Sequence, residues 1–278
     1  MASFSRRLTS TVAALALSTA GVAAAAPAHA VEMCTGTKTN WTPAAEVVVP
    51  AGATCTLANA NPTQAYRWNA SDVQVGQGAT LIVSDGLVDA INAQTLGSRV
   101  VIKSGAVVGD VRLGKRSTLE AYNSDLETVT SHDGHSLIRM NDVDLYALNA
   151  RAGGTVTTTR ARAEWRFDFD DMGGTTTLSR ASAGYVEFTN ARAGSRFEMR
   201  GSTTSYRSDS SVEVRGNAHV VLNGNVTEGG VQVISNRGNL FVSANSIAGT
   251  LDCYSNTNVP TYATKNYALI KTGQCRGI

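Results

Sequence analysis

The carboxylates best placed to do chemistry are concentrated in the stretch EWRFDFDDM, residues 164–172. Asp168, Asp170 and Asp171 lie within four positions of one another there, and Arg192 follows further along the chain. Carboxylates near a sugar can exchange protons with a glycosidic oxygen, and an arginine beside them can complete the site of a polysaccharide lyase or hydrolase. These four residues are the candidate catalytic set.

The same acids are also candidate ligands for Ca²⁺, which binds several carboxylate and carbonyl oxygens. In a stacked repeat we expect Asp142 and Asp144 to precede Asp168 and Asp170 on one outer face. Several arginines are interspersed with these acids, so the alternative is a solvated ladder of ion pairs, each contributing little. No motif forces a catalytic, metal or cofactor-binding role, and the ladder is the preferred interpretation.

The aromatic residues of this stretch alternate with the charged ones. Alternation along a strand places Trp165, Phe167 and Phe169 on one face and the charged side chains on the other. Core packing is the simpler interpretation of these rings, and an aromatic platform for sugars is the alternative. His132 and His135 have a spacing that can bind a metal, but without a recognisable third ligand they indicate a polar loop.

Two threonine-rich runs, TVTTT at 155–159 and TTT at 175–177, occupy equivalent places in successive repeats. A regular threonine array can match an ice lattice, but two repeats present too little flat surface. The β-propensity of threonine explains its presence in strands. Ice binding is therefore only a minor functional alternative.

These candidates are positioned by an internal repeat with a period near 20 residues, which is typical of a solenoid. Segments such as GATLIVS, GSRVVIK and GGTTTLS follow turn residues and share an apolar central position. The predicted inward positions are Leu81, Val100, Leu119, Leu137, Val156, Thr176, Phe197, Val220 and Leu240. The next residues would form a partly apolar outward strip that includes Ile82, Val101, Ile138, Val221 and Phe241, suited to contact another chain or a wall polymer unless loops cover it.

A second alternating segment precedes most of these, so each repeat reads as two strands joined by turns. One such repeat has nothing to bury its apolar face against, whereas stacked repeats cover one another. The sequence therefore predicts an all-β, single-domain, right-handed parallel β-helix of about nine or ten coils.

The two ends of the chain indicate export. Met1–Ala30 contains Arg6 and Arg7, an apolar stretch and a small-x-small cleavage site, which together predict a signal peptide. Without it the formal charge of +2 falls to about zero, which argues against nucleic acid as a partner. No later run is apolar enough to predict a membrane span.

The four cysteines lie in the terminal segments, and an oxidising compartment favours disulfides. Proximity in sequence favours Cys34–Cys55 and Cys253–Cys275 among three possible connectivities. We therefore predict a cleaved signal at 1–30, an N-terminal disulfide cap at 31–60, β-helix coils at 61–248 and a C-terminal disulfide cap at 249–278.

Three stretches of sequence resemble exported actinobacterial repeat proteins of the right-handed β-helix type: VVVPAGATCTL at 47–57, RGNLFVSANSIAGTLDCYSN at 237–256 and GQC at 273–275. The resemblance implies the fold and export. It implies no catalytic residue, because that family has no established activity. The middle of the chain, around RAEWRFDFDDM at 162–172, departs from the more regular repeats of the family.

The function expected from the sequence is that of a secreted, non-catalytic solenoid acting as a structural or binding protein. Its expected partner is a cell-wall or extracellular polysaccharide, or another protein. The main alternative is a carbohydrate-active enzyme that uses the acidic outer face around Asp168.

Overall fold

The computed structural model describes residues 31–39, 46–58, 70–132, 134–207, 210–216 and 218–278, and the predicted signal peptide lies outside them. These residues form an all-β parallel solenoid of about 12 turns, so the predicted fold class is confirmed and the predicted coil number is slightly low. The difference arises because strands pair in parallel register through both terminal segments as well as the middle. No helix in the described part of the chain is long and apolar enough to cross a membrane.

Each complete coil visits three faces rather than the two strands predicted. The first face contains β2 (Gly36–Lys38), β4 (Thr54–Ala58), β6 (Thr80–Ser84), β8 (Arg99–Ile102), β12 (Thr155–Thr159), β14 (Thr175–Ser179), β17 (Arg196–Arg200), β20 (His219–Asn223), β23 (Leu240–Ser243) and the first parts of β10 (Thr118–Ser131) and β11 (Leu137–Arg151).

The second face is the narrowest. It contains the two-residue strands β15 (Ser182–Ala183), β18 (Thr203–Thr204) and β21 (Val226–Thr227), the middle parts of β10 and β11, and the first parts of β7 (Gly86–Ala93), β9 (Ala106–Leu113), β13 (Arg162–Asp170), β24 (Ser246–Tyr254) and β25 (Tyr267–Gly273).

The third face contains β1 (Val31–Met33), β3 (Glu46–Val49), most of β5 (Ala70–Val75), β16 (Tyr185–Ala191), β19 (Val212–Gly216), β22 (Val231–Ile234) and the last parts of the strands that bend onto it. We call the turns after the first, second and third faces the first, second and third corners.

The core is a set of inward columns that run along the solenoid axis. One column on the third face begins at Glu32 and ends at Lys271, and the positions between are apolar and at most 3% exposed: Val47, Val73, Ile91, Val111, Val129, Leu148, Phe167, Val186, Val212, Val231 and Leu251. Glu32 pairs with Lys38 at 3.2 Å, and the Lys271 ammonium donates to the Ile278 carbonyl at 2.6 Å. The apolar core therefore ends where the column becomes charged.

Both predicted disulfides are present at the ends of this core. Cys34–Cys55 and Cys253–Cys275 join Cα atoms 5.5 and 5.3 Å apart, and all four cysteines are fully buried. In the chain-entropy description each bridge closes a loop of about 20 residues and stabilises the fold by roughly 3 kcal/mol. The cap boundaries themselves remain a prediction.

Buried asparagines stabilise the corners of the C-terminal half. Asn225, Asn245 and Asn266 form a ladder at the first corner, where each Nδ2 donates to a backbone carbonyl of the preceding coil. Asn236 and Asn256 form a second ladder at the third corner. Because buried polar groups are costly unless hydrogen-bonded, these ladders fix the register of successive coils.

Two inward assignments made from the sequence are wrong. Ile138, not Leu137, is the inward residue of its coil, and it pairs with Leu119 and Val156. Trp165 does not share the core with Phe167 and Phe169, because its side chain is 46% exposed. Both errors come from extending strict alternation across a turn or an irregularity in the strand.

Candidate functional site

Asp168 and Asp170 lie on the outer side of the third face, as the alternation in β13 predicts. Asp168 is only 7% exposed and lies 3.4 Å from the Arg166 guanidinium. Its neighbours in the adjoining coils are Asn149 on one side and Glu187 on the other, and Glu187 is followed by Glu213. We call Asp168, Glu187 and Glu213 the acidic ladder.

Glu213 was not recognised from the sequence as part of this arrangement. The signal was present, because SVEVR and YVEF share the same alternation and place their glutamates at equivalent positions. Successive coils stack at about 4.8 Å, so the three carboxylates are direct neighbours along the solenoid.

The close approach of these acids changes the protonation of Glu187. Partial burial, and then the negative charges of Asp168 and Glu213, raise the pKa of the Glu187 carboxyl above its ordinary value. Burial, and then the negative charges of Glu187 and Glu213, raise the pKa of Tyr185. The Tyr185 hydroxyl lies 3.4 Å from Glu213 Oε2. The acidic ladder therefore contains a carboxyl that holds its proton more tightly than a solvated glutamate does.

The other proposed catalytic residues are not part of this ladder. Asp171 lies at the third corner, where Arg192 Nε and Nη2 donate to its two carboxylate oxygens at 2.8 and 2.5 Å. That bidentate pair lowers the pKa of Asp171. The Arg192 guanidinium thus binds Asp171, while Asp168 is paired with Arg166.

The acids proposed as Ca²⁺ ligands are also spread over different parts of the surface. Asp142 lies at the first corner, with Arg160 donating to both carboxylate oxygens at 2.5 Å, and Asp144 lies on the second face opposite Arg162. The expectation that both precede Asp168 in one outward column is wrong, because a coil of about 20 residues passes over three faces. Among the described residues, no group of three or more His, Cys, Asp or Glu side chains is arranged to hold a metal ion.

The most exposed aromatic side chains near this region lie at the second corner. Pairing of β13 with β11 shifts between Leu145 and Ala147, so Glu164 and Trp165 together oppose the single residue Tyr146. An extra residue of this kind turns a side chain out of the regular alternation. This explains why Trp165 points to solvent although Phe167 and Phe169 are fully buried.

Trp165 packs against Tyr206, two coils along the axis. Their ring centroids are 6.3 Å apart at an interplanar angle of 73°, an edge-to-face contact. The intervening coil has Gly184, where a Cβ would lie 2.5 Å from the Trp165 carbonyl oxygen. Tyr146 is exposed on the coil before Trp165. We call Tyr146, Trp165 and Tyr206 the aromatic ridge.

A groove of about 630 Å³ adjoins the aromatic ridge. Its lining residues are Asp125, Leu126, Glu127, Asp144, Leu145, Tyr146, Arg162 and Glu164. Four carboxylates face one guanidinium there, so the groove is acidic, and Arg162 is 3.9 Å from Asp144. We call this cavity the acidic groove.

Large exposed apolar side chains recur along this side of the solenoid. The second face and second corner together carry Val107, Tyr146, Trp165, Tyr206, Val226, Tyr267 and Leu269. The outward strip predicted on the first face is less continuous, because Ile138 is buried and Arg139 takes its place beside Glu120. Exposed apolar surface rimmed by polar groups is typical of an interaction site.

The threonine runs do not form an extended array. Thr157 and Thr177 are adjacent outward residues, and the column continues to Arg139 on one side and Glu198 on the other. Thr158 and Thr176 point inward and are fully buried. The outward-facing threonine pair therefore spans only two coils, as the sequence predicts.

Comparisons with known proteins give no family for this chain: no protein-family model matches it, and no match was found among curated proteins or solved structures. The class of the protein is defined by its fold, a parallel β-solenoid with two disulfides near its ends.

Proposed function

We propose that this protein is a secreted, non-catalytic β-solenoid that binds an extracellular polysaccharide through the aromatic ridge. The observation that carries the proposal is the edge-to-face pair of Trp165 and Tyr206. Both side chains are exposed, and they meet over the intervening coil, which has Gly184 at this position. Export is supported by the predicted signal peptide and by two buried disulfides, which persist in oxidising compartments.

The chemistry of the surface suits a sugar polymer. Aromatic rings provide large, rigid apolar area with little loss of side-chain freedom on binding, and they can cover the C–H face of a pyranose ring. The adjoining acidic groove supplies carboxylate acceptors and the Arg162 donor, which can hydrogen-bond to sugar hydroxyls. A few polar groups placed around apolar surface are the usual composition of a small-molecule or glycan site.

The test is binding of soluble polysaccharides by affinity gel electrophoresis to the wild-type protein and to Trp165→Ala and Tyr206→Ala. Loss of one exposed aromatic contact should weaken binding about five-fold, corresponding to about 1 kcal/mol. Tyr122→Ala is the matched control. Tyr122 is an exposed tyrosine where the first-face part of β10 ends, away from the second corner. Equal mobility of wild type and both ridge variants on every polysaccharide would refute the proposal.

The raised pKa of Glu187 favours one second candidate, a glycan-cleaving enzyme centred on the acidic ladder. In that function Glu187 would donate its proton to the leaving glycosidic oxygen, and Asp168 or Glu213 would be the second carboxyl group of the pair. Release of reducing ends or unsaturated sugars from a polysaccharide panel, abolished by Glu187→Gln, would establish this activity. Binding without any cleavage supports the non-catalytic function.

A further inference from the structure

The outward column of the second face changes character along the solenoid. Its members in the acidic groove, Asp125, Asp144 and Arg162, are charged. The positions that continue the column beyond Arg162 are uncharged: Ser182, Thr203, Val226, Ser246 and Tyr267.

This uncharged strip begins beside the aromatic ridge and ends on the last strand. Ser182, where it starts, lies in the coil that follows Trp165, and Tyr267 opens β25 with 75% of its surface exposed. Five steps of about 4.8 Å separate the coil of Trp165 from that of Tyr267, a distance of about 24 Å along the axis. Side chains there are hydroxylated or apolar, so the strip offers hydrogen bonds and ring contacts without a charge.

We propose that the polysaccharide bound at the aromatic ridge is an uncharged polymer that lies along the solenoid axis and extends across this strip to Tyr267. The inference rests on the proposed function, because it extends the same binding surface from Trp165 to the last coil. Serine and threonine hydroxyls bond to sugar hydroxyls as donors and acceptors, while Tyr267 provides a second ring for stacking.

The neighbouring charges argue against an acidic polymer as the occupant. The acidic groove lies at one end of the strip, and the acidic ladder lies on the adjoining face of the same coils. A polyanion would meet like charge at that end of the strip and on the adjoining third face, whereas a neutral chain is not repelled. Binding of a neutral chain should also be nearly insensitive to added salt, since screening acts on charges.

The experiment measures affinity as a function of chain length by isothermal titration calorimetry with cello-oligosaccharides. Affinity electrophoresis compares the neutral polymers hydroxyethyl cellulose, glucomannan and dextran with the charged polymers polygalacturonate and chitosan. Tyr267→Ala should weaken binding of neutral chains longer than about 24 Å roughly five-fold, and should leave shorter oligosaccharides unaffected. Tyr254→Ala, an exposed tyrosine of the third face, should change neither.

The outcomes separate this inference from the proposed function. If Trp165→Ala weakens binding of long neutral chains but Tyr267→Ala does not, the aromatic ridge binds glycan and the extension along the strip is wrong. If only polygalacturonate or chitosan binds, the uncharged ligand class is wrong although the binding function stands. If no polysaccharide binds, the proposed function itself fails.

Discussion

Replacing Thr176 with valine should stabilise the protein. Thr176 lies in an inward column between Val156 and Phe197 and is fully buried. Its Oγ1 has no hydrogen-bond partner among the described residues. A buried hydroxyl without a partner costs about 1–3 kcal/mol, and valine keeps the branched shape while removing that hydroxyl. We therefore expect the free energy of unfolding to rise by about 1–3 kcal/mol.

The assay is thermal and urea unfolding of wild type and variant, followed by circular dichroism. For a chain of this size, each kcal/mol corresponds to a shift in Tm of about 2–4 °C. The control is Thr177→Val, the next residue, whose side chain points outward and is half-buried. Its effect should remain within about 0.5 kcal/mol.

The comparison tests which residues of this coil point inward. If Thr176→Val lowers Tm, or if the two variants behave alike, then Thr176 does not point into an apolar column and the assignment of inward and outward residues in this coil fails.

The remaining predictions concern the same core and the acidic ladder. Val156→Asp should destabilise the fold by more than about 3 kcal/mol, because it places an unpaired charge inside the core. Thr157→Asp, on the exposed side of the same strand, should have almost no effect in the same unfolding assay. Equal losses of stability in the two variants would contradict the register. Glu187→Gln should raise Tm at neutral pH and have no effect below the carboxyl pKa of the unfolded chain, about 4.3. The raised pKa of Glu187 makes the folded state bind the proton more tightly, so stability present at low pH is lost as pH rises through the folded pKa. A Tm gain that is independent of pH would show that ionisation of Glu187 is not the cause.

The repeat and its inward face were predictable from the sequence because they depend on period. Apolar residues such as Leu81, Val100 and Leu119 recur about every 19 residues and pair as neighbours in the structure. The disulfide pairing was predictable because each pair is close in sequence, at separations of 21 and 22.

The second face was missed because its strands are too short to show alternation. Two of these strands, Ser182–Ala183 and Thr203–Thr204, each contain only one outward and one inward residue. Alternation cannot be recognised over two residues. Without that face each repeat seemed to have two strands, and residues such as Asp144 and Asp168 were expected on one surface. In the structure Asp144 lies on the second face and Asp168 on the third, so the second corner separates them.

The aromatic ridge was missed for a related physical reason. Trp165 alternates with charged residues in the sequence, but the shift in pairing opposite Tyr146 turns it outward. The position of an extra residue in a strand depends on how two neighbouring coils pack together. It therefore cannot be recognised from the local sequence alone. The sequence left an aromatic sugar platform open for Trp165, Phe167 and Phe169 together, but of the three rings only Trp165 is exposed.

The most direct test of the binding surface is the fluorescence of Trp165 itself. The chain contains three tryptophans, so Trp41→Phe with Trp68→Phe leaves Trp165 as the single reporter. Titration with a neutral soluble polysaccharide should change its emission saturably, and sodium polygalacturonate at equal concentration should not. Unchanged emission with polysaccharides that the protein demonstrably binds would place the binding surface elsewhere and contradict the assignment to the second corner.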